Sequence, residues 1–262
     1  MRNDSLGEIA SFYDSIMSHV DYERWAMVTT TIADIFPAPF LHVDAACGTC
    51  KLGKALKRYG WRTHGVDLSY DMLQVGRKGR AKPSVAQADL RNLPFKGSVD
   101  YMTCLFDSMN FILDLDGFQK AVASCAKALR PGGVLYFDIV TEQMVLQHYA
   151  DQSWTERHRG LNTTWRGEYD RGTRVAKTFV TVKNGPACCI QERMYSLEEV
   201  REAIELAGLD LLGAYDAEGW QKPSKHSVRL DFVACKGEVQ SRKRAFTKSV
   251  ANIRAVMGAP AD

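Results

Sequence analysis

Through the first half of the chain, short apolar runs alternate with stretches in which apolar residues return every three or four positions, the pattern of strands interleaved with helices. A helical stripe comes first, over residues 9–36, through Ile9, Phe12, Tyr13, Ile16 and Met17 and then Tyr22, Trp25, Ala26 and Thr29. Phe40, Leu41 and Val43 read as a buried parallel strand, and residues 51–59 as a helix with Leu52, Ala55 and Leu56 on one face. The alternation continues with a strand at 62–66, a helix from Ser69 onward, a segment from Val85, a strand at 101–106 and a helix at 117–129 with Phe118, Val122 and Leu129 inward. Arg130-Pro131-Gly132-Gly133 reads as a helix stop and tight reversal before a strand at 134–140.

Residues 141–195 break this rhythm. Segments 154–157, 161–169, 173–182 and 187–195 alternate polar and apolar residues and are bounded by Asp170-Arg171-Gly172 and Asn184-Gly185-Pro186, so antiparallel strands with one wet face are predicted. Ser196 and Glu199 form a capping box for a helix to Ala207, and strands at 211–215 and 228–234 follow as an antiparallel pair. Phe246, Val250, Ile253 and Met257 then fall at helical spacing opposite Arg242, Lys243, Lys248 and Arg254, which predicts a basic amphipathic helix. The predicted organisation is a helical arm (1–36), an α/β core (37–140), a β cap (141–195), the end of the core sheet (196–235) and a basic tail (236–262).

Composition adds limits. Of 262 residues, 45% are apolar and 25% charged, as in an ordinary globular protein. The first twenty residues carry Asp4, Glu8 and Asp14 without an apolar segment, and no run approaches a membrane span, so a cytoplasmic protein is expected. Seven cysteines, an odd number, argue for reduced thiols. A zinc site from Cys47, Cys50, Cys188 and Cys189 is disfavoured, because the adjacent Cys188 and Cys189 would point to opposite faces of a strand. The tail holds six bases against two acids, so the formal charge of +3 leaves the first 235 residues at −1, with no overall basic footprint for nucleic acid.

The chemistry concentrates at residues 41–53, where an apolar run ends in an acid and a small-residue turn before a helix, the crevice at which open α/β sheets bind ligands. Gly48, Gly53 and Lys54 match part of a phosphate-binding loop, but Ala55 stands where a hydroxyl must hold magnesium. Cys47-Gly48-Thr49-Cys50 has the spacing of a thioredoxin-type redox pair. A third chemistry, S-adenosylmethionine (SAM) binding, matches more of the chain.

His42-Val43-Asp44-Ala45-Ala46-Cys47-Gly48-Thr49-Cys50 resembles V-L-D-L-A-C-G-T-G, the first motif of class I SAM-dependent methyltransferases, with Cys50 in place of its last Gly. Gly65-Val66-Asp67-Leu68-Ser69-Tyr70-Asp71-Met72-Leu73 resembles G-x-D-x-S-x-x-M-L, and the stretch from Val85 to Phe95 resembles the third motif. Phe12 to Trp25, and Cys104 to Phe111, resemble signatures of a group of small bacterial methyltransferases often labelled YqeM-like. The resemblance implies a Rossmann-like seven-stranded sheet with helices on both faces, an inserted antiparallel β cap over the cofactor crevice, and a C-terminal helical extension. It further implies SAM as donor and S-adenosylhomocysteine (SAH) as product.

Within that resemblance, Asp44 faces the ammonium end of the cofactor, Asp67 grips the ribose hydroxyls and Asp89 accepts from the adenine amino group, flanked by Ala88 and Leu90. Ala45, Ala46, Gly48, Leu68, Met72, Leu105 and Phe106 complete the cofactor contacts, and Tyr13 and Trp25 of the arm fold over the sulfonium. The expected acceptor is a small molecule, an amine before a hydroxyl, with Tyr13, Tyr22 and Asn110 orienting it and Phe111 as an apolar wall. No residue stands out as an obligatory base, and no metal is expected. The alternatives are an RNA or protein methyltransferase using the basic tail, or a non-catalytic SAM-binding protein. Nucleic acid and membrane are not expected as partners, and a homodimer through cap or tail stays open.

Overall fold

A computed structural model describes residues 6–37, 40–78, 83–158 and 160–257. The chain opens with α1 (Ala10–Ile16) and α2 (Tyr22–Ala33), then runs β1 (His42–Ala45), α3 (Lys51–Leu56), β2 (Thr63–Asp67), α4 (Tyr70–Gly76), β3 (Ser84–Gln87), β4 (Val99–Cys104), α5 (Leu115–Ala128) and β5 (Leu129–Val140). After α6 (Glu142–His148) come β6 (Ser153–His158), β7 (Leu161–Asp170), β8 (Val175–Val182) and β9 (Ala187–Arg193). The chain continues through α7 (Leu197–Leu206), β10 (Asp210–Asp216), β11 (Arg229–Cys235) and α8 (Val239–Val256).

The main sheet has the order β10-β11-β5-β4-β1-β2-β3, with β11 antiparallel to both of its neighbours and the other adjacent pairs parallel. Strand order reverses between β1 and β4, which leaves a crevice at their carboxyl ends. Side chains alternate across the sheet as the pleat requires. Leu135, Phe137 and Ile139 of β5 pack with Phe118 and Val122 of α5 and Ile204 of α7. Val134 and Tyr136 face the opposite layer, with Val28 and Ile32 of α2, Leu52 and Leu56 of α3 and Phe246 of α8. Helices therefore cover both faces.

The cap is a separate antiparallel sheet, β6-β7-β8-β9. Its apolar face, with Val180, Val182 and Cys188 buried, is covered by Ile9 and Ile16 of the arm, with Phe12, Tyr13 and Met17 beside them. The polar-apolar alternation is visible in β8, where every second residue from Ala176 is buried.

Three local expectations are corrected. The arm is not one helix, because the chain turns between Met17 and Asp21, and Asp21 caps α2 by accepting from the amides of Glu23 and Arg24. Arg130 to Gly133 make no reversal. The strand continues from Leu129 through a register shift opposite Val99 and Tyr101, with Gly132 at φ +75°. The helix α6 went unread, since only Val145 of its seven residues is buried.

Candidate active site

The first wall of the site is made by the ends of β1, β2 and β3. Ala46 and Gly48 take left-handed φ values of 58° and 52°, which folds the turn after β1 back on itself. Asp67, at the end of β2, accepts from the amide of Gly48 at 2.7 Å and from the amide of Ser69 at 2.8 Å. One carboxylate thus shapes both loops while lining the cavity. Asp44 is 4% exposed and accepts from the Thr103 hydroxyl at 2.7 Å. Burial outweighs that bond and pushes its carboxyl from 3.8 up to about 7. Thr103 also lies 3.2 Å from Nε2 of His42, which burial keeps neutral by lowering its pKa to about 3. Asp89 is held by Arg91 through two guanidinium contacts of 3.0 and 2.7 Å.

The arm closes over this wall. Thr49 donates to Asp14 at 2.6 Å, and Lys51 pairs with the same carboxylate at 3.1 Å, so α1 is tied to the turn after β1. Tyr22 and Trp25 of α2 each pack on Phe106 with ring centroids 5.0 Å apart. Phe106 and Asp107 are both left-handed, at φ 63° and 52°, a conformation that costs of order 1–3 kcal/mol for such residues and persists only where the surroundings impose it.

The second wall comes from the cap and from β5 and β11. Arg229 donates to Asp107 at 2.8 Å and also to Asp138, and Asp138 accepts from the amide of Asp107. Burial prevails over Arg229 and raises Asp138 to about 6. Burial likewise raises Asp231, which accepts from the indole of Trp220 at 2.8 Å, to about 8. Trp154 and Trp165 are stacked, 5.7 Å apart at 10°, with Tyr149 beside Trp154. The cavity that these walls line is about 950 Å³.

Most sequence-predicted residues meet here. Tyr13, Tyr22, Trp25, Asp44, Ala46, Gly48, Asp67, Leu68, Met72, Ala88, Asp89, Leu90, Leu105, Phe106 and Phe111 all line the cavity. Ala45 does not; it is fully buried in the core beside Val43 and Val66. Asn110 is a second correction. Its amide is fully buried outside the cavity lining, with both N–H groups donating to the carbonyls of Val140 and Arg193 and its oxygen accepting from the amide of Val140, so it does not reach an acceptor. Asp107, Glu192 and Arg229 line the cavity without having been singled out. Asp107 lay inside a quoted signature, whereas Glu192 and Arg229 carried no sequence signal.

The rival chemistries do not fit the turn. Cys47 and Cys50 lie 3.7 Å apart, but their mutual hydrogen bond and burial push Cys47 well above the usual thiol range, against a reactive thiolate. Cys50, at φ 61°, is 3% exposed, and its sulfur packs against Gly76 of α4 rather than into the cavity. The Lys54 ammonium donates to the carbonyl of Thr49. Among the described residues, no group of three His, Cys, Asp or Glu could hold a metal, and no helix is long and apolar enough to cross a membrane.

Residues 43–133 match the family model described as a methyltransferase domain. The protein YqeM of Bacillus subtilis (strain 168), itself named only provisionally as a methyltransferase, is 26% identical over 240 residues, 87% of this chain and 96% of YqeM. The dTDP-3-amino-3,4,6-trideoxy-alpha-D-glucopyranose N,N-dimethyltransferase of Streptomyces venezuelae is 32% identical over 116 residues, 42% of this chain and 48% of that protein. In fold, the chain is similar to a SAM-dependent methyltransferase from Clostridium acetobutylicum ATCC 824, with a TM-score of 0.76 at 24% identity over 87% of this chain and 96% of that one. The seven-stranded sheet with one reversed strand and a crevice at its switch point gives the chain the Rossmann-like fold of that methyltransferase. The methyltransferase-domain match over residues 43–133, the likeness to YqeM and the shared fold together support a SAM-dependent methyltransferase.

Proposed function

We propose that this enzyme transfers the methyl group of SAM to the amine of a small molecule. The observation that carries the reading is a single cavity whose two walls differ. Carboxylates at the ends of β1 to β3 line one wall, and aromatic rings and acids from the cap line the other. A volume of about 950 Å³ lies within the range for small-ligand sites, roughly 300–1,000 Å³, and residues of the arm and the cap line it.

The first wall fits SAM. Asp67 lines the cavity at the end of β2, and the two oxygens of a carboxylate suit a diol such as the ribose hydroxyls. Asp44, raised by burial and with no cation at its carboxylate among the described residues, suits an ammonium group. Asp89, with Ala88 and Leu90, suits the adenine edge and faces. When bound, SAM supplies an activated methyl group on a sulfonium, so the chain need only align the acceptor and exclude water. Tyr13, Tyr22 and Phe111 would hold the acceptor. Burial raises both phenols well above their ordinary range, so they act as neutral hydrogen-bonding groups.

The amine preference is supported by the acidic second wall, which favours a cation, and by the name of the Streptomyces venezuelae relative, which acts on an amino sugar. The test is calorimetry with SAH, followed by transfer of labelled methyl from SAM to primary amines and to the matching alcohols. Absence of SAH binding removes the cofactor reading, and faster transfer to the alcohols removes the amine.

A further inference from the structure

We propose that Glu192 receives the proton of the acceptor, so that the acceptor enters as an ammonium ion and is methylated as the free amine. The inference rests on the amine reading above and adds the base that the sequence did not reveal.

Glu192 stands on β9 opposite Ala176, and its side chain lines the cavity. Its Oε1 is fully buried and, among the described residues, receives no N–H or O–H donor, while its carboxyl lies within hydrogen-bond reach of the carboxylate of Asp107. The groups that face it are Asp107 beyond β4, Asp138 on β5, Arg229 on β11 and Tyr149, which Glu156 also faces. Arg229 already spends its two amino groups on Asp107 and Asp138. Two carboxyl groups, Glu192 and Asp107, thus sit side by side with a guanidinium that is already paired, an arrangement that a further cation with N–H donors would stabilise. Trp154 and Tyr149 add ring faces, which attract cations.

Burial first, and then Asp107, hold the Glu192 carboxyl well above the ordinary carboxylate range. Its proton affinity is thereby brought toward that of an amine. Glu192 as carboxylate beside an ammonium, and protonated Glu192 beside a free amine, share one proton; matching the affinities populates the second, reactive form.

The step balances. An N–H bond of the ammonium breaks, its electron pair stays on nitrogen, and the proton bonds to Glu192. Nitrogen then bonds the methyl carbon while the carbon–sulfur bond breaks and its pair remains on sulfur. The products are neutral SAH and a methylated ammonium ion, and the proton on Glu192 passes to water.

The test uses the chain saturated with SAH, with saturation checked by calorimetry. Failure at that stage tells against the cofactor reading and not against Glu192. Carbon-13 NMR of glutamate carboxyls, with Glu192→Gln assigning the resonance, is followed against pH in methylammonium chloride and in equal sodium chloride. An apparent pKa lower by about one unit in methylammonium is expected, and identical titrations overturn the proposal. Turnover is then measured with methylamine, cyclohexylamine and glucosamine. Glu192→Gln should lower kcat about a hundredfold at neutral pH, with the deficit shrinking as pH approaches the amine's own pKa, and Glu192→Asp should restore part of it. A parental rate and pH profile in Glu192→Gln overturn the proposal. If none of the three amines turns over, the NMR comparison decides.

Discussion

The side-chain amide of Asn110 donates to the carbonyl of Arg193 at 2.9 Å, joining the segment after β4 to the last strand of the cap. The same side chain makes two bonds to Val140 at the end of β5. A residue in the position of a substrate contact is thus a fastener between core and cap. Asn110→Ala should strand up to three buried polar groups, each at a cost of about 1–3 kcal/mol. Thermal unfolding should show the loss, while calorimetry at low temperature should find SAH affinity within threefold of the parent. A tenfold weaker SAH complex with unchanged melting would return Asn110 to the site.

Asp67→Ala removes a carboxylate that orders two loops and, on the proposed reading, two ribose contacts. Charge-assisted hydrogen bonds contribute about 1.5–3 kcal/mol each, so SAH affinity should fall by at least a hundredfold. Calorimetry beside circular dichroism separates this from unfolding. Unchanged affinity in a folded variant would refute the ribose role.

These two residues show what was legible. Asp67 could be placed in the crevice because its setting is local: strand, acid, turn and helix follow one another in a few residues. Asn110 lay in an equally recognisable stretch, yet its partners are 30 and 83 positions away, and only the fold brings them together. The pairing of Arg229 with Asp138 and Asp107, at separations of 91 and 122, was invisible for the same reason. The cap strands were legible since one face is buried against the arm and alternation follows, whereas the mostly uncovered α6 left no period to read.

Asp44 sets a pH dependence with a definite sign. Its folded pKa, about 7, is raised above the ordinary 3.8, so the folded chain without ligand binds the extra proton. This contribution to stability is full below the unfolded value and is lost as pH rises toward 7. An ammonium at Asp44 favours the ionised carboxylate, so SAH binding should release a proton near neutrality and weaken as pH falls below 7. Calorimetry in two buffers of different ionisation enthalpy measures the release. Asp44→Asn should abolish it, and an unaltered release in that variant would assign it elsewhere.

Cys50 occupies a left-handed position that costs a non-glycine residue roughly 1–2 kcal/mol. Against this, its buried sulfur packs on Gly76 and Cys47. Cys50→Gly should therefore change unfolding free energy by less than about 1 kcal/mol, as relief of strain offsets lost packing and the added entropy of glycine. Since the sulfur points away from the cavity, SAH affinity should stay within threefold. A larger change in affinity would mean that this side chain reaches the ligand.

The tail gives the last prediction. The helix α8 lies on the body, with Phe246 and Ile253 at 2% and 0% exposure packed among Trp220 and neighbours. Arg242 donates to the carbonyl of Ile35 and Arg254 to that of Trp220, so two of its bases are spent on docking. Phe246→Ala should cost about 3–5 kcal/mol, measured by denaturant unfolding, because a buried ring leaves a cavity. Lys243, Arg244 and Lys248 remain exposed. If they tracked phosphates, RNA affinity would fall with salt at a log–log slope near −0.7 per neutralised phosphate. With the rest of the chain at −1, no such binding is expected at physiological salt. Charge reversal of the three exposed bases, which leaves the docked face intact, should then leave methyl transfer unaltered. Salt-steep RNA binding that disappears in that variant would instead make the tail a nucleic-acid surface.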